Sequence, residues 1–170
     1  MTSSSDVKEL PLDSAGLLCD EAIKKRGLSS FVSLSEITMI DCFWLVSRLR
    51  TLIGNTALEV HFIESGGDVR SEEHTLSWRD MYDCINSRDL KSVLLTTSNQ
   101  EFYLYVEAFG DFFVLAENLN SKDIDTKVYM EANQAQFNDD VEHLAAQTKI
   151  NRDYFSDLRR RYFVSSNSDG

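Results

Sequence analysis

Glu59 and His61 stand two residues apart in ALEVHFIES, a segment of alternating polar and apolar positions. A strand would put both side chains on one face, where a carboxylate can orient an imidazole for general acid–base work. An ordinary polar pair on a strand accounts for the same spacing more simply. Asp41, set inside MIDCFW, is a carboxylate in an otherwise apolar stretch. Together with Glu59 and His61 it is the most plausible acid–base group for a small enzyme assembled from residues distant in sequence.

Other chemistry is sparse. Glu72, Glu73 and His74 form a polar run in which carboxylates favour the helix start that follows, and they make a weak metal site. Neither they nor His143 fall into HExxH or another metal-ligand spacing. The chain has no Walker A loop and no GxGxxG, and Gly66-Gly67 is a loop pair. The expected cofactor is therefore none, the expected metal none, and the favoured class a non-enzymatic one.

Charge sharpens that expectation. Seventeen basic residues against 28 acidic ones leave a net charge of -11, which repels phosphate backbones and attracts basic proteins. Arg159, Arg160 and Arg161 are the one basic cluster; at a helix end beside Asp153 and Asp157 they complement the macrodipole instead of marking a nucleic-acid site. Three widely spaced cysteines in apolar settings, Cys19, Cys42 and Cys84, fit free buried thiols. The N-terminus lacks a basic stretch followed by an apolar one, and no run of about 18 apolar residues occurs. The expectation is a cytoplasmic protein without a membrane segment.

The elements that must position these groups follow from periodicity. Segments 1–9 and 164–170 are polar and are expected to be flexible, leaving one domain over 10–163. A first helix is expected in DSAGLLCDEAIKKRG, capped by Asp13 and stopped at Gly27. SLSEITMIDCFWLVSRLRTLIG carries Ser33 three residues before Glu36, a capping-box spacing, and its apolar residues wrap so much of the circumference that it reads as a helix covered on more than one side; a buried strand over 37–46 is the alternative. Strands are expected near 57–64, 91–98, 101–109 and 111–118, while 126–132 suits a strand or a helix start. GGDVRSEEH reads as a connection. Ser77 caps a helix whose Trp78, Met81, Tyr82 and Ile85 share a stripe, and Asn138 and Asn151 are candidate caps for two terminal helices. Helices and strands in blocks, without βα alternation, predict an α+β fold with an antiparallel sheet of four to five strands.

In EFYLYVEAF, Phe102, Leu104 and Val106 point to one face and Tyr103 and Tyr105 to the other. If helices cover both faces, the tyrosines belong to the core. If the tyrosine face stays open, rimmed by Glu101, Glu107 and Asp111, it is a docking patch for a basic protein, with Asp139 and Asp140 adding steering charge. Small size, acidity and this surface favour a binding module of the bacterial immunity or antitoxin type, occluding a basic toxin domain such as a nuclease. An acidic secretion-type chaperone, or the small enzyme around Asp41, Glu59 and His61, is the alternative.

Overall fold

The computed structural model describes residues 10–54, 57–118, 124–145 and 149–163. The terminal segments 1–9 and 164–170, expected to be flexible, lie outside them. Six strands, β1 (Ser29–Ser33), β2 (Ala57–Ile63), β3 (Val69–Thr75), β4 (Ser92–Thr97), β5 (Phe102–Val106) and β6 (Phe113–Glu117), form one sheet in the order β1-β6-β5-β4-β2-β3, with every neighbouring pair antiparallel. Five helices, α1 (Asp20–Lys25), α2 (Met39–Ile53), α3 (Trp78–Asn86), α4 (Ile124–Ala145) and α5 (Lys149–Tyr162), complete an α+β fold. No described helix is long and apolar enough to cross a membrane.

The sheet has one more strand than the upper expectation, and its composition differs in three places. β1 lies inside a stretch where serines hide the apolar signal: SSFVS pairs along β6 and is buried throughout. β3 stands where a polar connection is expected, because an edge strand bonds one neighbour and can carry charge on its exposed surface, here Arg70, Glu72 and Glu73. The segment 126–132 is helical, within α4, where Met130, Glu131, Ala132 and Gln134 all favour helix.

Helix starts moved for the same local reason, since several residues offer cap spacing and tertiary pairing selects among them. The α2 cap is Thr38, not Ser33. Asp41 Oδ2 accepts from Thr38 N at 2.8 Å and Asp41 N donates to Thr38 Oγ1 at 3.2 Å, a complete capping box. Asp13 likewise caps no helix: its Oδ1 accepts from Ala15 N and Leu17 N, closing a turn through Gly16 at φ 76, and α1 begins only at Asp20. Asn138 and Asn151 fall inside α4 and α5. The Ser77 cap of α3 is present, with Asp80 N donating to Ser77 Oγ at 3.1 Å.

Both faces of the sheet are packed. On one, Leu58, Val60, Val93, Leu95, Phe102, Leu104, Phe113 and Leu115 meet Cys42, Leu45, Val46 and Leu49 of α2 and Met81 and Ile85 of α3. On the other, Leu94, Tyr103, Tyr105, Val114 and Ala116 meet Leu18, Ile23, Phe137, Phe155, Leu158 and Tyr162 from the N-terminal segment and α4 and α5. Arg161 ties the chain ends together by donating to Asp13 Oδ2 at 2.8 Å. Burial works against the Asp13 carboxylate, but bonds from Arg161, Leu17 and Ala15 outweigh it and hold its pKa below the usual range.

Candidate functional site

The tyrosine face is closed, which corrects the open docking patch. Tyr103 and Tyr105 are 0% and 1% exposed. Tyr103 donates to Gln100 Oε1 at 3.1 Å; the Tyr105 hydroxyl lies 3.2 Å from the Gly16 carbonyl oxygen and 3.1 Å from Ser92 Oγ. Phe112 stacks between the rings of Tyr105 and Tyr162. Burial is the main reason the Tyr105 hydroxyl is pushed up to about 12, and nearby Glu107 and Asp13 add to it against the bond with Ser92.

The acidic residues expected at its rim do not form one surface. Glu101 and Glu107 flank opposite ends of β5, separated by roughly 20 Å of extended chain. Glu107 is occupied locally: its Oε2 accepts from Phe109 N at 2.8 Å and Asp111 N at 3.4 Å, closing the turn that Gly110 allows at φ 79. Asp111 and Asp139 are exposed, and Asp140 accepts from Gln136 along α4. The arginine cluster is engaged within the protein: Arg160 and Arg161 meet Asp157, Arg161 also meets Asp13, and Arg159 donates to Asn138 Oδ1.

The acid–base trio is split by the sheet. Glu59 Oε2 and His61 Nε2 do meet, at 3.7 Å, with Ser71 Oγ 2.7 Å from His61 Nδ1. Asp41, however, caps α2 on the face of β2 that carries Leu58 and Val60, whereas alternation puts Glu59 and His61 on the opposite face. The three cannot share a substrate.

A second grouping arises that the sequence hid, because VRSEEHT lacks the apolar alternation that marks a strand. His74 Nε2 lies 3.1 Å from Glu72 Oε2 and 3.6 Å from Cys84 Sγ. Carboxylate and thiol thus share one ring nitrogen, whereas a base relay needs the carboxylate on the other. Burial, helped by Glu72, Asp80 and Asp83, pushes the Cys84 thiol up to about 11, so it stays protonated at neutral pH. Cys42 is pushed up to about 12, also chiefly by burial, and all three cysteines are free. Among the described residues no group of three His, Cys, Asp or Glu side chains could hold a metal.

The open apolar surface is elsewhere. The expected second cover over α2 is absent among the described residues: Cys42, Leu45, Val46 and Leu49 are buried, but Met39, Ile40 and Phe43 are 53%, 79% and 59% exposed. Positions 39, 40 and 43 lie within four residues of one another, so they form one patch on the first turns of α2. Glu36 just before the helix is exposed and Asp41 is half-buried, giving the patch an acidic border. Phe109 and Leu90 are also exposed, in the β5–β6 and α3–β4 connections. The signal was present in the sequence as an excess of apolar positions around the helix. No protein-family model, curated protein or solved structure matches this chain.

Proposed function

We propose that this protein is an acidic, non-enzymatic binding module that occludes a basic protein partner, in the manner of bacterial immunity or antitoxin-type proteins, and that it docks through the first turns of α2. The observation that carries this reading is the trio Met39, Ile40 and Phe43, three large apolar side chains left open beside carboxylates. Interfaces concentrate their energy in such central apolar anchors, while charge at the rim governs encounter. A net charge of -11 makes a cationic surface the complementary partner. The chaperone alternative draws on strand addition, for which the polar, charged edge strand β3 is a poor template.

The test is coexpression with the product of the adjoining reading frame. Wild-type protein is expected to restore growth and to copurify with that product in a salt-sensitive complex. Ile40→Asp and Phe43→Asp are each expected to weaken the complex by on the order of 2 kcal/mol, roughly 30-fold, with little change in thermal stability because neither side chain is buried. Unaltered copurification of the double variant would contradict the docking site. Wild-type protein that neither protects nor copurifies would contradict the immunity reading.

A further inference from the structure

The geometry points to a small-molecule site: the cleft between residues 35–37, the end of α3 and the β5–β6 turn binds a monocarboxylate with a short apolar tail, held by Arg88. Three arginines are buried or half-buried, namely Arg48, Arg88 and Arg161. Arg48 bonds Glu117 and Arg161 bonds Asp13, but Arg88 meets no carboxylate among the described residues. In a chain with 28 acidic side chains this is a conspicuous gap. Arg88 Nη1 donates to the Ile85 carbonyl at 2.7 Å, and its buried Nε has no hydrogen-bond partner among the described residues. A half-buried cation without a counterion is costly, and the planar guanidinium favours a planar carboxylate.

The surroundings narrow the ligand. A β-carbon at Gly110 would stand 2.6 Å from Arg88 Nη2, so the guanidinium lies against the Gly110 backbone at the edge of the turn. The cleft measures about 110 Å³ and is lined by Ser35, whose Oγ lies 2.6 Å from Ser33 Oγ, and by the apolar Ile37, Ile85 and Val106. A cavity of roughly 150 Å³ holds benzene, so an acid of about four to six heavy atoms fits. Glu36 also lines the cleft and opposes a second negative charge, which disfavours phosphate and dicarboxylates. This site does not rest on the docking reading, and its test uses no partner.

The experiment is a titration of the full chain, isotopically labelled, with sodium butyrate at constant ionic strength, followed by amide chemical shifts. The expected result is saturation in the millimolar range, confined to residues around Ser35, Ile37, Arg88 and Gly110, and no saturation with the neutral isostere butyramide. Arg88→Gln should weaken butyrate at least about tenfold, the scale of losing a bond to a charged group, and Glu36→Gln should strengthen it. If Arg88→Gln fails to fold, Arg88→Lys, which keeps the charge and loses the planar fork, should show the same weakening. Absence of saturation in the wild type, equal response to butyramide, undiminished binding by the arginine variant, or inorganic phosphate binding as tightly as butyrate would each overturn the assignment.

Discussion

Tyr105→Ala is expected to destabilise the protein by about 3–5 kcal/mol, the cost of truncating a fully buried aromatic side chain. The ring is enclosed between Phe112 and the strand, and its hydroxyl meets both the Gly16 carbonyl and Ser92, so the substitution leaves a cavity and two polar groups without their partner. For a chain of this length such a loss lowers the melting temperature by roughly 6–20 °C. Tyr105→Phe keeps the packing and should lose only about 1–2 kcal/mol, the scale of an unmet buried hydrogen bond. Thermal and urea unfolding of the two variants measure the difference. Near-wild-type stability in Tyr105→Ala would mean that the tyrosine face is not core.

A comparable effect is expected at the ion pair beneath α2. Arg48 Nε lies 3.0 Å from each oxygen of Glu117, and both side chains are almost wholly removed from solvent. Coulomb attraction there is offset by the cost of desolvating two charges, so the pair adds little net stability, whereas either charge alone is severely destabilising. Arg48→Met should therefore cost about 3–5 kcal/mol by stranding the Glu117 carboxylate. The double variant Arg48→Met with Glu117→Leu should be more stable than Arg48→Met alone, because the second change removes the stranded charge. Denaturant unfolding of the wild type, both singles and the double forms the cycle. Additive losses would show that the two groups do not interact.

The parts of this fold legible from sequence were those whose two sheet faces differ by residue type. ALEVHFI and FYLYV alternate clearly, and β2 and β5 lie where that alternation puts them. SSFVS and VRSEEHT do not alternate in apolar character, the first because serines are buried in it and the second because it is a polar edge, so β1 and β3 were invisible locally. For the tyrosines, period two settled the face but not what covers it. The cover comes from Gly16, Leu18 and Tyr162, far away in the chain, with Tyr162 itself anchored by its hydroxyl on the Leu18 carbonyl. The same limit acted in reverse on α2, where a helix rich in apolar residues implied a second cover and Met39, Ile40 and Phe43 instead face outward. Distances between groups on different elements, such as His74 of β3 and Cys84 of α3, depend on how those elements pack and had no local signal. Asp41 and His61 were separable only once the sheet stood between them.

The measurement that tests most directly where the apolar surplus lies is hydroxyl-radical footprinting of the isolated protein, read residue by residue by mass spectrometry. Methionine thioethers and exposed aromatic rings oxidise readily, while the same groups inside a packed core are shielded. The expected result is rapid modification of Met39 and Phe43 and strong protection of Tyr103 and Tyr105. Tyrosines modified as fast as Met39, or a protected Met39 and Phe43, would contradict both the closed sheet face and the docking surface placed on α2.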